Sequence, residues 1–104
     1  MRSILLTSNE DIINGLRLAG VRSVKCNDRA DLLKNFRTFT KTEDIGIIIL
    51  TYSSFKEIKD EVLDFKLTGD LPLVVTIPDL DGGMEDDFIL KYVRESVGVK
   101  AVGD

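Results

Sequence analysis

The chain has 104 residues, a formal net charge of −4 and a pI of about 4.8, and hydrophobic residues make up 43% of it. This length suits one domain with one core, and the acidic balance argues against nonspecific nucleic-acid binding, which needs a basic surface. With no histidine and only one cysteine, Cys26, the sequence excludes zinc sites, an internal disulfide and Ser-His or Cys-His catalysis, and a reducing compartment is expected.

The sequence carries no pattern of a membrane segment. No apolar run approaches the ~20 residues that a bilayer-spanning helix needs. The first apolar residues reach Asn9-Glu10-Asp11 too early for a signal peptide. We therefore expect no direct insertion into a membrane.

The first predicted elements are a short buried strand, Ser3–Leu6, and a helix. Ser8 or Asn9 is a good N-cap, and Glu10 and Asp11 suit the positive end of the helix. Apolar residues then follow at helical spacing, namely Ile12, Ile13, Leu16 and Ala19. Gly20 is predicted to end this helix in a left-handed conformation.

A weaker strand and a second helix come next. Val21–Lys25 is short and polar for a strand, which predicts a position at the edge of the sheet. Asn27 or Asp28 caps the helix that follows. Its predicted apolar face consists of Leu32, Leu33, Phe36 and Phe39.

The segment from Asp44 to Tyr52 contains the predicted central strand. Its apolar run, Ile47–Leu50, shows no polar alternation, which predicts burial on both faces. A short piece of buried helix is the alternative. The three β-branched isoleucines of this run favour the strand.

A third helix and a fourth strand complete the first 78 residues. Ser54 and Glu57 form a capping-box pattern. The predicted apolar stripe of this helix is Phe55, Ile58, Val62 and Phe65, and Gly69 ends it. Leu73–Ile77 is the fourth strand, between Pro72 and Pro78.

The remaining segment is an acidic loop followed by a last predicted helix. Asp79–Gly83 is rich in turn residues, and the helix begins near Glu85 and ends at Gly98. Its broad apolar face consists of Phe88, Ile89, Tyr92, Val93 and Val97. This face could form the last layer on the sheet or bind a helix of another chain, and the pattern alone leaves both open. We divide the chain into an α/β domain, 1–78, and an acidic loop with a C-terminal helix and tail, 79–104.

The element order β-α-β-α-β-α-β-α predicts an α/β fold. It is expected to be a small open four-stranded parallel sheet with helices on both faces, Rossmann-like or flavodoxin-like. Such sheets bind ligands at the carboxyl ends of their strands, here Thr7–Asn9, Thr51–Ser54 and Ile77–Asp79. The glycine-rich and Gly-Lys-Ser/Thr phosphate loops are missing, so helix capping is the simpler interpretation.

Two other site hypotheses fail on the pattern. A response-regulator receiver would need an aspartate where the third strand ends in Thr51. A calcium loop is suggested by the acids Asp79, Asp81, Glu85, Asp86 and Asp87. Gly83 then occupies the third ligand position of that loop, and Met84 replaces its turn glycine. We therefore predict no catalytic, cofactor-binding or metal-binding residues.

Four segments resemble the F subunit of V-type and archaeal-type ATP synthases. Gly15–Val21, read as Gly-Leu-Arg-Leu-Ala-Gly-Val, is similar to that family's Gly-Phe-Arg-Leu-Ala-Gly-Val motif. Asp44–Thr51, Leu71–Pro78 and Val93–Val99 resemble its third strand, its fourth strand and its closing helix. The chain departs from the family pattern at Leu16, where Phe is common, and at Tyr52, where Glu is frequent.

This resemblance implies a non-catalytic subunit of the central stalk, or rotor, without cofactors. Such a subunit binds the coiled-coil D subunit of the stalk and, through it, the nucleotide-binding ring, and it helps to couple ATP hydrolysis or synthesis to proton or sodium transport. The family's C-terminal helix can extend along the stalk. The implied location is cytoplasmic and peripheral to the membrane. The alternative is a stand-alone receiver-like or small-anion-binding α/β module.

From the resemblance and the apolar faces we predict the partner-binding residues. They are Leu16, Arg17, Leu18, Val21, Phe88, Tyr92, Val93 and Val97.

Overall fold

Four parallel strands form one sheet in the computed structural model, which describes residues 2–79. The elements are β1 (Arg2–Thr7), α1 (Glu10–Leu18), β2 (Arg22–Lys25), α2 (Arg29–Thr40), β3 (Ile45–Thr51), α3 (Tyr52–Glu57), α4 (Lys59–Thr68) and β4 (Leu73–Ile77). The predicted α/β class and parallel sheet are confirmed. The last predicted helix and most of the acidic loop lie outside the described residues.

The strand order is β2-β1-β3-β4, which places β3 between β1 and β4. Ile48 of β3 lies opposite Ile4 on one side and Val74 on the other. Ile48, Ile49 and Leu50 are completely buried. The prediction of a central strand that is dry on both faces is therefore correct, and β2 lies at an edge of the described sheet, as predicted.

The two faces of the sheet build two apolar clusters. The α1-side cluster consists of Leu5, Ile12, Ile13, Leu16, Ile49 and Ile77. The α2-side cluster consists of Ile4, Leu6, Cys26, Leu32, Phe36, Ile45, Ile48, Leu50, Ile58 and Val62. Phe36 of α2 meets Phe65 of α4 edge to face, with ring centroids 5.9 Å apart. Successive residues of β3 thus alternate between two covered faces, which is why its sequence shows no polar alternation.

Side-chain caps start the helices α1 and α2. The Oδ1 atom of Asn9 accepts hydrogen bonds from the backbone N–H groups of Asp11 and Ile12, at 2.9 and 3.2 Å. The Oδ1 atom of Asp28 accepts from the N–H of Asp31 at 2.8 Å. The structure thereby selects one cap from each pair of candidates that the sequence offers.

The predicted capping box at Ser54 and Glu57 is wrong. The third helical segment begins earlier, at Tyr52, and it breaks at Ile58 into α3 and α4. Ser54 is buried, and its Oγ accepts a hydrogen bond from Thr51 Oγ1. A hydroxyl left without a partner costs more free energy in the buried interior than an uncapped N–H does at a solvent-exposed helix end. At the break, Arg29 Nε donates to the carbonyl oxygen of Glu57 at 2.9 Å, which satisfies one acceptor near the interruption.

Gly20 ends α1 with a φ of 85°, as predicted. Its N–H donates to the carbonyl of Arg17, and the N–H of Val21 donates to that of Leu16. These two bonds are the Schellman arrangement, which needs a left-handed residue after the helix.

Gly20→Ala is expected to lower the free energy of unfolding by about 1 to 2 kcal/mol, because L-residues resist this backbone region. A Cβ at Gly20 would meet no atom within 4 Å, so the cost is conformational and not steric. Urea denaturation measures it, with Gly20→Asn as the control that tolerates the left-handed region better. Equal midpoints for wild type and Gly20→Ala would contradict the prediction.

Candidate functional site

Hydroxyl groups fill the carboxyl ends of β1 and β3. The Oγ1 atoms of Thr7 and Thr51 lie 3.0 Å apart, and Thr51 Oγ1 donates to Ser54 Oγ at 3.0 Å. We name Thr7, Thr51 and Ser54 the hydroxyl cluster; all three residues are buried. Thr7 Oγ1 also accepts from the N–H of Asn9 at 3.1 Å. Within residues 2–79 no buried side-chain nitrogen or oxygen is left without a hydrogen-bond partner.

The carboxylate of Asp79 occupies the start of α3. The N–H and the Oγ of Ser53 each donate to this carboxylate at 2.7 Å. The positive end of the helix is therefore complemented by a group of the chain itself. At the start of α1, Lys25 donates to Glu10, and this bond, with the charge of Lys25, lowers the pKa of Glu10. The polar groups at this end of the sheet thus satisfy one another, in line with the capping interpretation.

No cluster of three potential metal ligands occurs in the part of the chain that the structure describes. Of the acids that suggested a calcium loop, Asp79 is described and bonds to Ser53. Asp81, Glu85, Asp86 and Asp87 lie outside the described residues.

The thiol of Cys26 is part of the core. The residue is 4% exposed, in the α2-side cluster, and its Sγ donates to the carbonyl of Val24 at 3.6 Å. Burial raises the pKa of this thiol from 9.0 to about 11, and the nearby charge of Asp31 adds to the effect. The thiol is therefore protonated at neutral pH, and the sequence interpretation of Cys26 as a small apolar side chain is supported.

Cys26 is expected to react at least about 100-fold more slowly with a thiol reagent at pH 8 in the folded chain than in the urea-unfolded chain. Two pKa units alone reduce the thiolate fraction about 100-fold, and burial restricts access further. The folded chain holds the thiol proton more tightly than the unfolded chain does, so this proton makes its full contribution to the free energy of unfolding below about pH 9. That contribution is lost as the pH rises toward 11. Fast labelling of the folded chain at pH 8 would contradict this.

The predicted partner-binding residues have different environments. Leu16 is 1% exposed and packs in the α1-side cluster, so packing already accounts for its apolar character. Arg17 is exposed, Leu18 is 80% exposed, and Val21 is half-buried. Phe88, Tyr92, Val93 and Val97 lie outside the described residues. A role in partner binding stays a prediction for all eight residues.

An open groove of about 530 Å³ lies at the amino end of the sheet. Arg17 and Val21 line it together with Arg22, at the start of β2, and Phe39 of α2. We name this the amino-end groove. Arg22 and Phe39 were not among the predicted site residues, because the segment that resembles the family motif ends one residue before Arg22, and Phe39 belongs to an element distant from α1 along the chain. The charge of Arg22 at the start of a predicted edge strand was the available signal.

A second exposed apolar feature lies on α4 and after it. Leu63, Leu67 and Leu71 are 41%, 86% and 53% exposed. Leu63 and Leu67 are four residues apart and so share one side of the helix. They lie outside the stripe that packs on the sheet, and they were not among the predicted site residues.

Comparisons with known proteins agree with one another on the family. The family described as ATP synthase (F/14-kDa) subunit matches residues 4–93. A relative from Methanococcus aeolicus, named as the F subunit of the A-type ATP synthase, is 33% identical over 100 residues, which cover 93% of this chain and 96% of the relative. Among the helices of the described residues, none has the length and apolar character to cross a membrane. The chain therefore belongs to the ATP synthase F/14-kDa subunit family.

Proposed function

We propose that this chain is a non-catalytic subunit of the central stalk of a rotary ATP synthase. In this role it binds the coiled-coil D subunit and, through it, turns with respect to the nucleotide-binding ring. It thereby takes part in coupling ATP synthesis or hydrolysis to ion transport, on the cytoplasmic side and peripheral to the membrane. Family membership over residues 4–93 supports a place in the complex.

The observation that carries the choice of surface is the end of α1. Arg17 and the 80% exposed Leu18 stand at the surface, within the segment Gly15–Val21 that resembles the family motif. A partner's apolar surface would bury this leucine, and its place in the segment that resembles the family motif distinguishes it from the exposed leucines of α4. The same proposal includes contacts from the predicted helix face of Phe88, Tyr92, Val93 and Val97. It takes up the predicted division of the chain into an α/β domain, 1–78, and a C-terminal segment, 79–104.

The small-anion-binding alternative receives no support from the geometry. A free helix start is what would attract an anion. Asn9 already accepts the N–H groups that open α1, and Asp79 accepts that of Ser53. The N-termini of α1 and α3 are thus already occupied by side chains of the chain itself, and they are not open to a phosphate.

The test is the affinity of the full chain for the purified D subunit of the same organism, measured by calorimetry. Leu18→Asp is expected to weaken binding at least about tenfold, since it places a charge in a desolvated contact. Leu67→Asp makes the same change at another exposed leucine, of α4, and is expected to leave the affinity within about twofold. Failure of the wild-type chain to bind the D subunit would overturn the proposed function. Loss of binding only in Leu67→Asp would move the contact to α4.

A further inference from the structure

We infer that the amino-end groove receives an α-helical segment whose apolar side chain is flanked by carboxylates. Resting on the proposed function, we assign this segment to the coiled coil of the D subunit. The inference goes further than the proposed function, because it states which chemistry the partner must present and where on this chain it is recognised.

The floor of the groove is apolar and comes from four elements. It consists of Ile4 of β1, Val24 of β2, Ile45 of β3 and Phe39 of α2. Ile4 and Ile45 are buried, whereas Val24 and Phe39 are half-buried and pack against the α2-side cluster. The groove volume, about 530 Å³, accommodates a few side chains of a helix and not the helix itself. A partner therefore gains from placing one or two apolar side chains here.

The rim of the groove is basic. Arg17 and Arg22 both line it and are both exposed. Neither guanidinium has an ion pair or hydrogen bond with another side chain in residues 2–79. Other exposed cations of these residues, such as Arg37, also lack an ion pair, and what distinguishes Arg17 and Arg22 is their position beside the apolar floor. In a chain of net charge −4, two unpaired arginines beside an apolar floor specify a ligand with carboxylates, which bind guanidinium groups in bidentate geometry.

The edge strand argues for a helix and against an added strand. β2 has four residues, and the charged residues Arg22 and Lys25 stand at its two ends. Short edges with charged side chains disfavour pairing with a further strand. On a helix, side chains three or four positions apart share one side, so an apolar residue and two carboxylates can face the groove together.

The chain's own acidic segment is the competing occupant. Residues 79–87 carry five acids, but Asp79 follows the carboxyl end of β4, at the opposite side of the described sheet from β2. Three strand spacings separate these edges, about 14 Å, in addition to the length of the strands. An extended segment of about eight residues spans such a distance, so the test decides between the two occupants. We commit to the partner helix; a groove occupied by the chain's own acids would leave binding to the D subunit unchanged in R17E/R22E.

The experiment compares two double charge reversals of the full chain in binding to the purified D subunit at about 50 and 300 mM salt. R17E/R22E is expected to weaken binding about tenfold or more at low salt and to remove the loss of affinity that salt causes in the wild type. K34E/K59E changes the net charge equally at two exposed lysines outside the groove. It is expected to bind within about twofold of wild type, with the same salt dependence.

Further variants keep the outcome clear. R17Q/R22Q removes the two charges without adding new ones. It replaces R17E/R22E in the comparison if circular dichroism shows that the charge reversal does not fold. R17K/R22K is expected to restore part of the affinity, because the charge returns without the planar fork. If R17E/R22E and R17Q/R22Q both bind the D subunit as tightly as the wild type does, this inference alone is overturned. The absence of wild-type binding overturns the proposed function instead.

Discussion

Leu50→Ala is expected to lower the free energy of unfolding by about 3 to 5 kcal/mol. Leu50 is completely buried near the end of β3, in the α2-side cluster. Removal of its side chain loses the transfer free energy of the deleted atoms and leaves a cavity, since strands on both sides hold the backbone in place. A domain of this size is stable by about 5 to 15 kcal/mol, so the variant loses a large part of its stability.

Leu67→Ala is the matched control for this change. The same atoms are removed from a leucine that is 86% exposed on α4, where alanine also has a high helix propensity. The expected change is within about 0.5 kcal/mol. Urea denaturation followed by circular dichroism measures both variants. Similar losses in the two would contradict the burial of Leu50 in a core that stabilises the sheet.

Thr51→Val is expected to lower the free energy of unfolding by about 2 to 3 kcal/mol, although the two side chains have nearly the same shape. Thr51 Oγ1 donates to Ser54 Oγ, so the proton between Thr7 and Thr51 must come from Thr7. Valine at position 51 leaves the Thr7 hydroxyl without an acceptor and the Ser54 oxygen without this donor, both in buried surroundings. Each unsatisfied buried group costs about 1 to 3 kcal/mol.

A double-mutant cycle separates the hydrogen bond from the packing. Thr7→Val/Thr51→Val replaces both hydroxyls that lie 3.0 Å apart, so its cost is expected to be smaller than the sum of the two single variants. Thr51→Ser keeps the hydroxyl and loses one methyl group, and it is expected to cost about 1 kcal/mol. Additive single variants would show that Thr7 and Thr51 do not depend on each other.

Part of the candidate surface could be predicted from the sequence. The motif Gly15–Val21 pointed to the end of α1, and the structure places Arg17 and Leu18 at the surface there. The motif could not separate Leu16, which packs in the core, from its exposed neighbours. It also omitted Arg22 and Phe39, which reach the same groove from β2 and α2.

Local chemistry in the sequence determined the elements of this protein. The dry strand at Ile47–Leu50, a helix start at Ser8 or Asn9 and the left-handed Gly20 depend on residues near them in the chain. The parallel class of the sheet followed from their alternation, because short connections through helices bring successive strands back in one direction.

Only the tertiary structure decided the features that join distant residues. The position of β1 between β2 and β3, the hydroxyl cluster of Thr7, Thr51 and Ser54, and the break of the third helix at Ile58 are of this kind. The amino-end groove belongs with them, since four elements supply its floor. A buried hydroxyl must find a partner and a buried isoleucine must find a core. Which residue becomes the hydrogen-bond partner or the packing neighbour depends on how all the elements pack together, and no local pattern contains that information.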